Sequence, residues 1–292
     1  MTTFLKNNND KLNRKSIVKQ ANFMVKKKYS QNFLLDENII DNIIEKSGVD
    51  NNTGVIEIGP GLGALTKKLF NYAKKLLIYE IDSDLIPYLN DFFSSYKNFK
   101  LVNDDILKSD INNEIKEYLF DVDRIVVISN LPYHITTPII MRFLEEINNI
   151  DSMTLMMQYE VAKRLTSKPN TKDYNALSVI VQHQTEVKYL FKVPKTVFYP
   201  KPNVDSAVIK LDIKKNINNN EQIEFYRFIH ACFSQRRKTL VNNLHSTYSE
   251  YSKAKLIDML EDIEIHSMIR AESLNLSDFD KLYARFIEMT NE

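Results

Sequence analysis

The sequence predicts an α/β domain with a mostly parallel sheet, followed by a smaller all-α domain. Three observations predict it. Up to about residue 211, short apolar runs of strand character alternate with helical patterns, which demands crossover connections and a sheet covered on both faces. Beyond residue 222 only helical periodicity remains: Phe225, Phe228, Ile229 and Cys232 share one face, and Ser277 to Glu288 repeats the habit. Between these regions lies DIKKNINNNEQ (212–222), a polar, Asn-rich stretch that reads as a linker. The expected division is a basic, flexible arm over 1–28, the α/β domain over 29–211 and the helical domain over 212–292.

The elements follow in order. After the arm, Ile39, Ile40, Ile43 and Ile44 recur at helical spacing, with Gly48 placed to stop the helix. TGVIEI (53–58) is a short buried strand that runs into Gly59-Pro60-Gly61-Leu62-Gly63. Helical spacing resumes from Leu62 to Ala73, and KLLIYEI (75–81) forms a second strand that delivers Glu80. Further strands are expected at Phe99–Val102, Arg124–Ser129, Met153–Met157 and Ser206–Leu211, with helical patterns between several of them, as at Thr137–Glu146.

Composition narrows the class. With 43% hydrophobic and 26% charged residues, the chain can build a core, which excludes low-complexity disorder and collagen. No stretch approaches the roughly 18 apolar residues of a membrane span, and the N-terminus lacks the apolar region of a secretory signal. The single cysteine, Cys232, cannot form an internal disulfide, which fits a reducing cytoplasm. Scattered histidines, with no Cys-x-x-Cys or His-Glu-x-x-His, point away from a metal site. Residues 1–28 carry eight basic side chains against one acid, a balance of +7 that leaves −6 for the rest of a chain whose net charge is +1. Such an arm, which includes Lys26, Lys27 and Lys28, suits a polyanionic partner and equally suits a solvated tail. A transit peptide is disfavoured because Lys outnumbers Arg and Ser is sparse.

Glycine marks the site. There are five in 292 residues, all between Gly48 and Gly63, where average usage of about 7% gives roughly twenty. Strand, glycine turn, helix, strand and acid are the front half of a Rossmann-type unit. Glycines let the backbone turn sharply and approach a ligand closely. Glu80, 21 residues after Gly59, is placed to accept hydrogen bonds from ribose hydroxyls. Gly59, Gly61 and Ala64 also fit a dinucleotide fingerprint, so an NAD-dependent oxidoreductase stays open, as does a structural turn without ligand. Gly59-x-Gly61-x-Gly63 preceded by Glu57 resembles motif I of S-adenosylmethionine-dependent methyltransferases. Asp104-Asp105-Ile106 then stands where such enzymes carry an acid for the adenine amino group, although a plain turn also accounts for Asp105.

Asn130-Leu131-Pro132-Tyr133 ends the strand RIVVIS, where ligands of open α/β sheets bind. It resembles the Asn/Asp-Pro-Pro-Tyr signature of methyltransferases that act on exocyclic amino nitrogens. The adenine N6 lone pair is delocalised into the ring. Two acceptors, an Asn side-chain oxygen and the carbonyl of Leu131 or Pro132, can bind its N–H groups and turn the lone pair toward the methyl. Pro132 lacks an N–H and fixes φ, and Tyr133 can stack on a flipped base. The competing reading is a strand-ending turn.

Six segments in order carry a wider resemblance: SQNFLLDENII (30–40), VIEIGPGLGALT (55–66), NLPYHITTPII (130–140), KDYNALSVIVQ (172–182), VFYPKPNVDSAVIKL (197–211) and FSQRRKTLVNNL (233–244). The chain resembles the ribosomal RNA adenine N6,N6-dimethyltransferases, specifically the small-subunit group, over roughly Lys26 to Phe286. The resemblance implies a Rossmann-like methyltransferase domain and S-adenosylmethionine as donor. It also implies double methylation of two adjacent adenosines near the 3′ end of small-subunit rRNA in a pre-ribosomal particle. The implied donor-binding residues are Asn32, Leu34, Gly59, Gly61, Gly63, Glu80, Ile81, Asp105, Ile106 and Asn130. The implied catalytic set is Asn130, Pro132, Tyr133 and Phe198, the last an aromatic that would sandwich the base with Tyr133, unless it is a core phenylalanine. Arg236, Arg237 and Lys238, in a helical tail, would grip phosphates together with the arm, unless they are merely a solvated helix face. No metal is implied, and a cytoplasmic monomer is the default. Ser30 replaces the family's usual Gly and His134 its usual Asn. Ser30 also occurs in the large-subunit methyltransferases of macrolide resistance, the nearest alternative. A non-catalytic RNA-binding assembly factor is the other.

Overall fold

The structure is a computed structural model that describes residues 32–214 and 219–291, so the arm with Lys26, Lys27 and Lys28 lies outside the described residues. In chain order the elements are β1 (Phe33–Leu34), α1 (Glu37–Ser47), β2 (Thr53–Ile58), α2 (Ala64–Leu69), β3 (Lys75–Tyr79), α3 (Ile86–Phe92) and β4 (Phe99–Val102). There follow α4 (Ile111–Tyr118), β5 (Arg124–Asn130), α5 (Thr136–Glu145), β6 (Ser152–Gln158), α6 (Tyr159–Leu165), α7 (Ala176–Gln184) and β7 (Thr185–Val193). Then come β8 (Phe198–Tyr199), β9 (Ser206–Ile213), α8 (Asn219–Cys232), α9 (Leu240–Thr247), α10 (Lys253–Asp262) and α11 (Leu276–Asn291).

Seven strands form one sheet in the order β4-β3-β2-β5-β6-β9-β7. The pairs β2–β3, β2–β5 and β3–β4 are parallel, with Ile58 beside Tyr79 and Ile56 beside Val127. Every residue of β2 is buried, as are Leu76–Tyr79 and Ile125–Ser129. That is why these strands read as continuous apolar runs rather than alternating ones. Each such Val, Ile or Leu contributes about 1.5–3 kcal/mol of burial. The register aligns the carboxyl ends of β2, β3 and β5, the edge at which ligands bind.

Local chemistry sets the element ends. Asp36 Oδ1 accepts from the Asn38 and Ile39 backbone N–H groups at 3.0 and 3.3 Å, and Gly48 closes α1 at φ 71°. The helix expected over 62–73 is shorter, because Gly63 stands at φ 79° and α2 starts only after it. A small antiparallel sheet pairs Leu34 of β1 with Phe198 of β8, and the Leu35 N–H donates to the Val197 carbonyl at 2.9 Å. Two-residue strands carry no periodicity, so the sequence did not announce them.

Contacts divide the chain into two compact units. One gathers the residues up to Ile139, Thr154–Gln158 and Phe191–Val208; the other gathers Ile140–Met153, Tyr159–Leu190 and the residues from Ile209 onward. This division differs from the one expected at 211/212. The reason is α7, whose Val179 and Ile180 share a core with Phe225, Phe228, Ile229, Leu244, Leu260, Phe279 and Phe286 of the C-terminal helices. The expected linker over 212–222 also shrinks, since β9 runs to Ile213 and α8 starts at Asn219. Among the described residues, no helix is long and apolar enough to cross a membrane.

Candidate active site

At the carboxyl ends of β2, β3 and β5 lies a cavity of about 130 Å³. Asn32, Leu34, Gly59, Gly61, Glu80, Ile81, Asp105, Ile106, Asn130, Pro132 and Tyr133 all line it, drawn together from segments far apart in sequence. Gly63 and Phe198 do not line it. A Cβ on Gly63 would meet Phe93 Cζ at 2.6 Å, so its place is in the packing behind the turn. Phe198 is 4% exposed and paired with Leu34, the setting of a core residue that supports β1. Arg236, Arg237 and Lys238 are exposed, but in the turn between α8 and α9 rather than on a helix. The Lys238 N–H donates to the Gln235 carbonyl there at 3.1 Å, and Arg236 Nε meets Glu272 Oε2 at 3.1 Å.

The glycine turn is built for close approach. The Gly59 N–H donates to the Tyr79 carbonyl at 2.8 Å, which ties the turn to β3. Gly61 stands at φ 58°, and a Cβ there would lie 3.0 Å from the Phe33 ring. A side chain at Gly61 would therefore press on β1, which itself carries cavity residues.

The charged lining residues are Glu57, Glu80, Asp104 and Asp105, all acids. Glu57 is 2% exposed, its Oε2 has no partner, and burial, with Glu80 nearby, pushes its carboxyl up to about 8. Burial pushes Glu80 up to about 7, partly countered by the Asp82 N–H, which donates to its Oε1 at 2.8 Å. Asp105 is placed at the cavity and in a turn at once. It lines the cavity, and its Oδ1 accepts from the Leu107 N–H at 3.0 Å as a turn residue does. An acidic lining with no cation suits a positively charged ligand and opposes a pyrophosphate.

A pH effect follows. A carboxyl raised to about 8 keeps its proton in the folded chain while the unfolded chain loses it near the ordinary glutamate value of 4.5. Stability therefore falls as pH rises from the unfolded value through the folded one. Glu57→Gln, which mimics the neutral acid, is expected to melt with the parent at pH 4 and above it at pH 8.5. Identical melting at both pH values would show that Glu57 ionises freely.

The loop after β5 is fixed from several sides. The Leu131 N–H donates to the Met156 carbonyl at 3.0 Å. Asn130 Nδ2 donates to the Asn32 carbonyl at 3.4 Å, a long bond that sets which end of the amide faces Asn32. The Pro132 carbonyl already accepts from the Ile135 N–H at 3.2 Å and the Thr136 hydroxyl at 3.1 Å. Both its lone pairs are engaged, which leaves the Leu131 carbonyl as the candidate for a second acceptor. The Tyr133 hydroxyl lies 2.7 Å from Ser206 Oγ, which anchors the ring, and burial raises its phenol.

Sequence reasoning did not single out Tyr88, whose ring lines the cavity and whose hydroxyl donates to the Leu62 carbonyl at 3.4 Å. It belongs to none of the six segments, so no signal pointed to it. Ser206 lay inside VDSAV without a role. Glu57 had a signal, the acid before the glycine run, but was not among the candidate binding residues.

Comparisons with known proteins place this geometry. Residues 22–281 match the sequence profile of the family described as Ribosomal RNA adenine dimethylase. The chain is 45% identical over 274 residues to Ribosomal RNA small subunit methyltransferase A of Bacillus pumilus, covering 92% of this chain and 93% of that one. It is 46% identical over 272 residues to the protein of the same name from Macrococcus caseolyticus, covering 92% of each. Among solved structures, a dimethyladenosine transferase from Plasmodium falciparum superposes with a TM-score of 0.73 at 26% identity, over 88% of this chain and 98% of that one. A 23S rRNA methyltransferase, ErmE, superposes at 0.65 with 24% identity over 87% and 98%, a likeness of fold. With its profile matched over most of its length and an Asn130 loop closing an acid-lined cavity, the chain belongs to the ribosomal RNA adenine dimethylase family.

Proposed function

We infer that the chain transfers methyl groups from S-adenosylmethionine to N6 of adenosines in small-subunit rRNA, twice on each of two adjacent adenosines near the 3′ end. The observation that carries this reading is the loop after β5, whose Asn130, Leu131, Pro132 and Tyr133 line the acid-lined cavity. The donor, when bound, supplies an electrophilic methyl on a sulfonium.

The residues present fit that donor. Glu80 accepts from ribose hydroxyls and Asp105 from the adenine amino group. Ile81, 45% exposed and lining the cavity, gives an apolar face to the base, with Ile106 beside it. Gly59 and Gly61 form the backbone floor, and Asn32 and Leu34 close the side carried by β1. At the acceptor end, Asn130 Oδ1 and the Leu131 oxygen bind the two N6–H groups, so the lone pair is freed from the ring and aimed. Tyr133, held by Ser206, stacks on the base. No strong base is needed, because the amine loses its proton after transfer; alignment and fixed dipoles lower the barrier. Phe198 acts through β8, by holding Leu34 in place. Arg236, Arg237, Lys238 and the arm grip RNA phosphates. The enzyme acts as a cytoplasmic monomer, without a metal, on rRNA of a pre-ribosomal particle.

Calorimetry separates this reading from a dinucleotide site. S-adenosylmethionine is expected to bind and NAD to give no heat. Glu80→Ala is expected to lower donor affinity by roughly 10–100-fold, the loss of hydrogen bonds to a charged acceptor. Binding of NAD in place of the donor would overturn the assignment.

A further inference from the structure

The donor carries charge of both signs. Its sulfonium and α-ammonium are cations, and its α-carboxylate is an anion. The acids of the cavity suit the cations, but among the described residues no Lys, Arg or His lines it. The carboxylate must therefore be met by neutral N–H or O–H groups, inside a lining that otherwise repels it.

The backbone has few such groups to give. In the glycine turn, the Gly59 N–H donates to the Tyr79 carbonyl at 2.8 Å, the Gly63 N–H to the Pro60 carbonyl at 2.9 Å and the Gly61 N–H to the Glu80 carboxyl. Pro60 has no N–H. That of Leu62 is left, on a residue 7% exposed.

The neutral donors among the lining side chains are Asn32, Tyr79, Tyr88, Asn130 and Tyr133. Asn130 Nδ2 is turned to the Asn32 carbonyl, and the Tyr133 hydroxyl lies 2.7 Å from Ser206 Oγ, both at the acceptor end. Tyr79 is 1% exposed and lies within the core. Asn32 already belongs to the donor site. Tyr88 is the one without a task. It is half-buried, and its hydroxyl lies 3.4 Å from the Leu62 carbonyl, beyond the usual range of about 2.5–3.0 Å for an O–H···O bond. Burial pushes its phenol up to about 12, so it remains a neutral donor. Turning the O–H from that carbonyl to a carboxylate replaces a long neutral bond with a charge-assisted one, roughly twice as strong as an ordinary bond.

The donor's own geometry agrees. The sulfonium bears three groups. The methyl points at the Asn130 loop, and the adenosyl group runs to Glu80 and Asp105. The amino-acid chain is left the lining that neither uses, which includes Phe33, Leu62 and Tyr88. The Tyr88 ring packs against the small apolar cluster of Phe33 and Leu62 and stacks on Phe92 at 5.6 Å. Those contacts would be met equally by phenylalanine, so packing does not account for the hydroxyl.

We propose that the Tyr88 hydroxyl binds the α-carboxylate of S-adenosylmethionine and so selects the intact amino-acid donor over analogues that lack this group. The proposal rests on the reading of the cavity as a donor site and adds to it a specificity residue from outside the six segments.

The test is a calorimetric titration of the full-length protein and its Tyr88→Phe variant with two ligands, S-adenosylmethionine and its decarboxylated analogue. The analogue keeps the sulfonium and the amine. Tyr88→Phe is expected to weaken S-adenosylmethionine about tenfold, the lower end for a hydrogen bond to a charged group, and to leave the analogue's affinity as in the parent. In steady-state assays the KM for the donor should rise by the same factor while kcat holds, because the carboxylate contact is the same before and during transfer. A Tyr88 that only packs would move both ligands together. A variant that binds S-adenosylmethionine like its parent, or that loses both ligands by the same factor, overturns the proposal. In either case a parent that binds S-adenosylmethionine keeps the donor-site reading intact. A parent that does not bind it overturns that reading as well.

Discussion

Asn130→Ala is expected to lower the single-turnover rate of methyl transfer by about 10²–10³-fold, the usual cost of removing one preorganised polar group aimed at the reacting centre. The protein should fold normally. Asn130 is half-buried at the end of β5, and the neighbouring loop keeps its Leu131–Met156 and Pro132–Thr136 hydrogen bonds. The lost side chain removes one of two acceptors for the N6–H groups, and the Leu131 carbonyl alone cannot fix the lone-pair direction. Because Asn130 also lines the donor cavity, donor affinity is expected to fall modestly and the chemical step steeply. Single-turnover kinetics at saturating donor separate the two effects. A rate within a factor of three of the parent would remove Asn130 from the mechanism.

Gly63→Ala is expected to destabilise the fold by about 2–5 kcal/mol, the sum of a left-handed backbone cost and overpacking. Gly63 stands at φ 79°, and a new Cβ would meet Phe93 Cζ at 2.6 Å and Cε1 at 3.0 Å. Phe93 cannot yield cheaply. It is fully buried, with Phe70 and Phe99 edge-on at 5.1 and 5.7 Å. Gly59→Ala provides the control. Its φ is 66°, but the nearest atom to its Cβ would be Pro132 Cγ at 3.7 Å, an ordinary contact. It should therefore lose only the backbone cost, about 1–2 kcal/mol. Thermal melts measure the difference at about 2–4 °C per kcal/mol for a chain of this size. Equal losses in the two variants would mean that the Phe93 cluster relaxes around the methyl.

The parallel strands were legible because burial on both faces leaves an uninterrupted apolar run, as in TGVIEI and RIVVIS. The glycine turn was legible because glycine is scarce everywhere else in this chain. What escaped was tertiary in origin. Phe33–Leu34 and Phe198–Tyr199 pair as two-residue strands, and no periodicity fits in two residues. Helix α7 reads as an apolar run inside the α/β region, yet its Val179 and Ile180 share a core with helices past residue 219, a preference that only three-dimensional packing reveals. Arg236–Lys238 sit in a turn because Asn243 caps the Cys232 and Gln235 carbonyls, a long-range bond with no local signature. In the site, the acids, the glycines and the Asn130 loop came from motifs. The choice between the Leu131 and Pro132 carbonyls did not. It required seeing that Ile135 and Thr136 already occupy Pro132.

The most direct test of the account is to incubate the purified protein with methyl-labelled S-adenosylmethionine and small ribosomal subunits from cells that lack this enzyme. The rRNA is then digested and the labelled nucleoside identified and mapped. The account predicts N6,N6-dimethyladenosine at two adjacent positions near the 3′ end of small-subunit rRNA, and none with the Asn130→Ala protein. Label confined to large-subunit rRNA, or donor binding without transfer to any rRNA, would contradict it.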